Sequence, residues 1–453
     1  MIFGRATPKS FDWNPEQRPI MSNHPNKRAK VVIIGAGFGG ISAAKALAKA
    51  PVDITMIDRR NYHLFQPLLY QVATADLSPA DVAWPIRSIF SRQQNVRVVL
   101  GEVLDIDTDA KEVVLEEGRF EYDHVIVASG AHHSYFGRDE WEKHAPGLKR
   151  VIDATEIRKN VLMAFERAEV SDDPVEQARQ MTFVVVGGGP TGVEMAGAIA
   201  ELAHHALARD FRHINSRSAR IILIEAGPRL LSAFPEKLSN KAKASLEKLG
   251  VEVMLDTMVQ DITADGVQLD GAFIPSACKV WGAGVAVKNV GRWLNVDTDR
   301  SGRIAVGGDM SVPGLPEVFV IGDAAKVAWK EDADVPGIAP AAKQGGKYVA
   351  KRIVAALRGK PAPKPFAYKH AGNLATIGRN SAVIDFGKVQ LSGFLAWWIW
   401  GVAHIYFLIG VRQPIIVAFS WFWSYVTYSK GARLITGLRP LFEEPQEEKP
   451  SEV

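Results

Sequence analysis

Gly35, Gly37 and Gly40 stand at G-x-G-x-x-G spacing between the apolar run Val31-Val32-Ile33-Ile34 and the stretch Ile41-Ser42-Ala43-Ala44. That order reads as strand, tight turn and helix. A residue without a side chain at Gly37 lets a pyrophosphate reach the backbone, and Gly40 lets helix and strand lie close. The free N–H groups at a helix start then hold the anion. A glycine-rich turn alone is a weak signal. Here Asp58 closes the next apolar run, 23 residues after Gly35, where an acid accepts hydrogen bonds from an adenosine ribose. Gly187, Gly189 and Gly192 repeat the spacing after Thr182-Phe183-Val184-Val185-Val186, with Glu225 as the delayed acid at the next strand end. A carboxylate there repels a 2′-phosphate, so the second site should prefer NAD(H) to NADP(H). Arg229 nearby weakens that preference slightly.

Two fingerprints roughly 150 residues apart imply two nucleotide-binding units, since one doubly wound sheet needs a single such turn. Short strands are expected at 96–103 and 112–115, and another at 122–131 ends in the small-residue turn Ser129-Gly130-Ala131. A helix is expected over 153–173, and a long helical insert over 200–215 would explain the late Glu225. Residues 318–325 read as a strand ending in Gly322-Asp323 at a helix start, where an aspartate either caps the helix or bonds a cofactor sugar. A further helix opens near Pro340 and carries Gln344 one turn in. The segment 59–74, rich in aromatics and amides, suits a wall against a flat ring system or an ordinary buried loop.

The 453 residues suffice for two or three domains, and 47% hydrophobic with 23% charged residues is ordinary for a folded protein. A net charge of +4 does not suggest a nucleic-acid partner. The lone Cys278 excludes, within one chain, a disulfide framework, a C-x-x-C redox pair and a cysteine-ligated metal or cluster, and no metal site is expected. Redox chemistry would fall to a bound organic cofactor. Residues 1–29 read as a mobile extension, with Met21 an alternative start.

With both fingerprints, the 129–131 turn, Gly322-Asp323 and the helix through Gln344, the chain resembles the two-dinucleotide-binding-domain flavoproteins. More narrowly, the stretches Asn61-Tyr62-His63-Leu64-Phe65-Gln66-Pro67-Leu68-Leu69-Tyr70-Gln71-Val72-Ala73-Thr74 and Gly187-Gly188-Gly189-Pro190-Thr191-Gly192-Val193-Glu194 are similar to type II NADH dehydrogenases. The resemblance runs from about residue 30 to 437. It implies an α/β fold with an NAD domain (153–285) inserted in an FAD domain (30–152 and 286–390), followed by a membrane-anchoring region (391–453). It also implies single-subunit, membrane-associated transfer of electrons from NADH through FAD to a quinone, without proton pumping. By that resemblance Gly35, Gly37, Phe38, Gly39, Gly40, Asp58, Arg59, Gly130, Gly322 and Asp323 would hold FAD. Gly187, Gly189, Thr191, Gly192, Glu194 and Glu225 would hold NADH. Gln344 would sit against the flavin where quinone arrives. Many members carry a glutamine where this chain has Pro340, so the quinone contact rests on Gln344, with Arg379 a weaker candidate.

Hydride transfer needs no acid, base or nucleophile from the protein, because the cofactors carry the chemistry. Glu194 and Gln344 are the polar side chains expected nearest the exchange, although Glu194 could instead only cap or pair within its helix. The apolar run 394–411 has the length of a membrane span, whereas 415–428 is short for one. Gln413, Ser420, Ser424 and Thr427 give the second piece a polar stripe, five tryptophans (397, 398, 400, 421, 423) suit headgroup depth, and Lys430 and Arg433 could meet anionic lipid. Two helices lying in one leaflet are expected ahead of a bilayer-spanning hairpin or a buried dimer interface. The expected partners are thus a membrane quinone pool, a lipid surface and a second copy in a homodimer, with attachment peripheral and facing the cytoplasm. Rival readings are a soluble reductase of an electron-carrier protein and a flavin-bound NADH sensor. A sulfide:quinone enzyme would need the redox cysteines that this chain lacks.

Overall fold

The fold is a computed structural model describing residues 28–330, 333–408, 412–427 and 430–436. The extension expected at the N-terminus falls on residues 1–27, outside the described residues. Arg28 already pairs with Asp53, and Ala29 opens the first strand.

That strand, Ala29–Ile34, lies between the parallel strands Val52–Asp58 and His124–Val127. Its β-branched run is buried on both faces, as a central parallel strand requires. The full sheet has six strands, ordered Ser311–Val312, Leu315–Val320, His124–Val127, Ala29–Ile34, Val52–Asp58 and Val96–Leu100. Leu315–Val320 pairs parallel with His124–Val127, so the chain leaves this sheet and rejoins it almost 190 residues later. In between lies a four-stranded parallel sheet ordered Val251–Met254, Arg220–Ile224, Thr182–Val186 and Cys278–Trp281. The way out and the way back meet where His132–His133 pairs antiparallel with Val285–Ala286.

Helix Phe38–Ala46 follows the first fingerprint and packs against Ala339–Leu357. The approach is close enough that a Cβ on Gly346 would collide with the Gly39 carbonyl oxygen. The return helix therefore closes over the first nucleotide loop. Helix Pro190–Glu201 follows the second loop. A meander of Asn373–Thr376, Ala382–Asp385 and Gln390–Gly393 leads into two C-terminal helices, Phe394–Phe407 and Arg412–Thr427.

Four expectations change. The strand expected at 96–103 ends at Leu100, and Val103–Asp107 belongs to a separate three-stranded antiparallel sheet with Glu112–Leu115 and Gly118–Glu121. The 200–215 insert is only briefly helical. Helix Pro190–Glu201 widens into a π-turn at Leu202–Ala206 and then stops, because the amides of Arg212, His213 and Ile214 donate to the Glu169 carboxylate instead. Gly322–Ala324 forms one 3₁₀ turn and not the start of a long helix. The apolar run 394–411 forms a helix only to Phe407, its last residues 409–411 lie outside the described residues, and no described helix is long and apolar enough to cross a membrane.

Candidate functional site

Both glycine loops have the same construction. Gly35 (φ +100°) and Gly187 (φ +108°) turn in a region that favours glycine, and a Cβ on Gly35 or Gly187 would strike the neighbouring strand end at Ala128 or Ala283. Gly37 and Gly189 are the residues just before the two helices, and nothing lies within 4 Å of where their side chains would be. Open space in front of unpaired helical N–H groups is a cradle for a diphosphate. The two acids fix the loops alike. Asp58 accepts from the Ala36 amide at 2.7 Å and from Arg60 at 2.8 Å, and Glu225 accepts from the Gly188 amide and, at 2.7 Å, from Gly227. Each carboxylate oxygen keeps a lone pair for a ribose hydroxyl. Arg229 donates to the carbonyls of Phe234 and Ser232, so its guanidinium is tied into its own turn.

The remaining residues expected at the first loop converge on it. Gly130 is in left-handed conformation with open space beside it, and the Ser129 hydroxyl next to it is buried without a protein partner. Gly322 lies against Ala342, and Asp323 is 3.8 Å from Lys149, whose pKa burial lowers. Phe38 makes edge contacts with His63 and Phe65, and the Lys343 ammonium sits 5.1 Å over its ring. Arg59 reaches outward and contacts His132 at 3.3 Å. His63 accepts no charge: its Nδ1 faces the Ala36 carbonyl at 2.9 Å, and burial lowers its pKa to about 4. An open cradle, an acid at the ribose position and an unpartnered buried hydroxyl suit an FAD-type dinucleotide.

The two residues expected nearest the exchange make different contacts. Gln344 spends both ends of its amide on one residue, donating to the Lys369 carbonyl at 2.9 Å and accepting from the Lys369 amide at 3.0 Å. Pro340 occupies the first turn of the same helix. Glu194 and Arg379, in contrast, lie along one track. Segment 376–379 runs along helix Pro190–Glu201: the Thr376 amide points at Glu194 (3.5 Å), Gly378 lies over Gly197, and the Arg379 amide donates to Glu201 at 2.6 Å. Glu194 keeps a little accessible surface but is enclosed by protein, and burial raises its pKa to about 8. Glu201 is 8% exposed, with a pKa that burial raises to about 7 and Lys430 partly restores. Tyr70 is buried beside them, its pKa pushed well above the ordinary value by burial and then by Glu194.

Arg379, Glu201 and Tyr70 line a cavity of about 420 Å³ that opens between helix Pro190–Glu201 and the two C-terminal helices. Its other walls include Gln71, Trp397, Trp400 and Trp421. A space of this size and polarity suits a flat apolar ring with a few polar anchors. Trp421 donates to Gln71 Oε1 at 2.7 Å, and Gln71 donates to the Tyr70 hydroxyl at 2.9 Å, which ties the last helix to the 61–74 segment. Glu201, Tyr70 and Gln71 carried no assigned role in the sequence reading. An acid seven residues after Glu194, closing the small-residue and apolar run Ala196-Gly197-Ala198-Ile199-Ala200, is the signal that marks Glu201.

The C-terminal helices show which way the polar stripe turns and change two expectations. Their polar stripe faces the protein: Gln413 is buried and Ser424 lines the cavity, while Thr427 lies where side chains are outside the description. The outer face is apolar, with Phe394, Trp398, Tyr406 (80% exposed), Ile415, Phe419 and Phe422 turned outward. Trp400 is 2% exposed and stacks between His404 and Trp421, so these two tryptophans are internal rather than at headgroup depth. Lys430 and Arg433 are paired with Asp76 and Asp210 instead of being presented to lipid.

Comparison with known proteins agrees with this geometry. The pyridine nucleotide-disulphide oxidoreductase family profile matches residues 29–346. Two type II NADH:quinone oxidoreductases of Mycobacterium tuberculosis are 48% and 46% identical to the chain, covering 93% and 90% of both partners. The NDH2 of Plasmodium falciparum, solved in complex with NADH, superposes with a TM-score of 0.82 at 21% identity, over 90% of this chain and 99% of that one; this likeness speaks to fold. Duplicated nucleotide loops, an aromatic cavity with the buried acid Glu201 in its wall, and near-half identity over almost the whole length converge: the chain belongs to the type II NADH:quinone oxidoreductases.

Proposed function

We propose that the chain works in two alternating stages, NADH oxidation at the second glycine loop and quinone reduction in the tryptophan-lined cavity. It is an FAD-dependent NADH:quinone oxidoreductase. The observation that carries the two-stage reading is the coexistence of two diphosphate cradles with a separate apolar cavity bearing Glu201 and Arg379. FAD, when bound, supplies the two-electron carrier between NADH and quinone.

The first loop, Gly35 to Gly40 with Phe38, would hold FAD together with Asp58, Arg59, Gly130, Gly322 and Asp323. Gly187, Gly189, Thr191, Gly192 and Glu225 would hold NADH, and Glu194 would face the reacting end of that site. Orienting both reactants supplies on the order of 7–11 kcal/mol at best. Gln344 acts here as a positioning residue that pins the Lys369 segment onto the helix packed over the first loop. Quinone enters between the C-terminal helices, its ring against Trp397 and Trp421 and its oxygens toward Arg379. The outward aromatic face rests in one membrane leaflet, which supports peripheral attachment; the side facing the cytoplasm would be the one where NADH is supplied. A homodimer would use the same aromatic face, and detergent-free flotation on vesicles separates the two uses.

Stopped-flow mixing of the FAD-loaded protein tests this reading. NADH should bleach the yellow absorbance under anaerobic conditions, and a quinone should restore it. Absorbance that returns only with a ferredoxin-type carrier would favour the soluble-reductase reading. Absorbance that returns with no acceptor would favour a sensor.

A further inference from the structure

Reducing a quinone requires protons as well as electrons. The overall balance is NADH + H⁺ + quinone → NAD⁺ + quinol, so a proton from water must reach an oxygen inside an apolar cavity. Unpaired charge is costly in such a place. A side chain must carry the proton in.

The cavity offers few acids. Glu194 is not among its walls, whereas Glu201, Asp76 and Tyr70 are. Glu201 lies seven residues past Glu194 on helix Pro190–Glu201, on the same face and about 10 Å along the axis. The groups that face it come from three segments: Tyr70 and Asp76 from the 69–76 segment, Arg379 from the turn after Asn373–Thr376, and Lys430 from beyond the last helix. The Arg379 amide fixes one carboxyl oxygen at 2.6 Å, which orients the group. On the outer side, Lys430 pairs with Asp76 at 2.8 Å, and Asp76 keeps 18% of its side chain exposed. A partly exposed carboxylate, a buried lysine and a buried acid thus stand together at the cavity wall, with Asp76 the member in contact with water.

We propose that Glu201 is the acid that hands a proton to the bound quinone and is refilled from water through the Asp76–Lys430 pair. This rests on the placement of quinone in the cavity. In the step, the Glu201 O–H bond breaks and one quinone O–H bond forms as two electrons arrive from NADH by way of FAD, while the hydrogen that NADH gives up supplies the proton of the second quinol O–H. The carboxylate left behind then takes up a solvent proton. Its raised affinity for protons, held near neutrality by burial, suits a general acid. The Tyr70 hydroxyl accepts from Gln71 and lies near enough to both Glu194 and Glu201 to feel their charge.

The test compares wild type with Glu201→Gln in the full-length, FAD-loaded protein in detergent, using ubiquinone-1 and ferricyanide as acceptors. Ferricyanide takes electrons without protons. The Gln variant should lose quinone turnover roughly 100-fold, while NADH bleaching and ferricyanide reduction stay within about two-fold. The wild-type rate should fall above a pH near 7, and that limb should vanish in Glu201→Gln and persist, displaced, in Glu201→Asp. Lys430→Met should move it upward, because Lys430 lowers the Glu201 pKa. Infrared spectra of the FAD-loaded protein should show protonated carboxyl absorption titrating near neutrality, of which the Glu201 share is missing in Glu201→Gln while the Glu194 share, titrating higher, remains. Equal loss with both acceptors would reduce Glu201 to a structural part and overturn the proposal. An unchanged quinone rate and pH limb would overturn it as well. Wild type that reduces ferricyanide but no quinone would instead remove the placement of quinone, and this proposal with it.

Discussion

Glu194 sets a measurable term in stability. Its carboxyl is raised from an ordinary 4.5 to about 8 because burial disfavours the charged form, and a single long bond from Thr376 offsets little of that. A group whose folded pKa lies above its unfolded value favours the folded state fully below the unfolded pKa. That support is lost as pH rises through the folded value. For Glu194 the window is therefore pH 4.5 to 8. At about 1.4 kcal/mol per unit, the ceiling is about 5 kcal/mol; partial access to water should leave about 2–3. Glu194→Gln keeps the shape and cannot ionise. The two proteins should melt almost together at pH 5, and the variant should melt several degrees higher at pH 8.5. Thermal unfolding of the FAD-loaded proteins in one detergent, followed at several pH values, reads this directly. A melting difference that is the same at pH 5 and 8.5 would refute the buried, proton-holding Glu194.

The same substitution should slow quinone reduction more than NADH bleaching in stopped flow, whereas equal slowing would remove its part in the second stage. With Glu225 at the ribose position and Arg229 tied to Phe234 and Ser232, turnover should favour NADH over NADPH by at least ten-fold, and a preference for NADPH would contradict that arrangement. Trp421→Phe leaves Gln71 Oε1 without its donor beside an apolar cavity, which should cost about 1–3 kcal/mol of stability and loosen the last helix, read by proteolysis after residue 408. Deleting residues 393–453 should release the protein from membranes that high salt does not strip, since the outward face is apolar and Lys430 and Arg433 are internally paired; a truncated chain that stays bound would refute the anchor.

The nucleotide loops were legible because their physics is local. A glycine forced to positive φ at Gly35 or Gly187 and an acid at the next strand end leave a pattern that needs no tertiary knowledge. The 200–215 segment misled because its alanines favour a helix, while the deciding contact is the distant Glu169 capturing three successive amides. The C-terminal stripe was legible only in part, for a related reason. Periodicity shows that Gln413, Ser420 and Ser424 share a side, but not that this side meets the protein and leaves the aromatics outside. Glu201 escaped because its partners, Arg379, Asp76 and Lys430, come from three far-off segments. Gln344 was placed on the right helix, yet its amide could not be known to close on Lys369.

The central claim is that this chain moves two electrons from NADH to a quinone by way of a bound flavin. Its most direct measurement is steady-state NADH oxidation by purified, yellow protein with added ubiquinone-1, recorded together with quinol formation. The account predicts one quinol formed for each NADH consumed, at a rate that follows the flavin content of the preparation. NADH consumption with no quinol formed, or quinol formation in a preparation that binds no flavin, would contradict it.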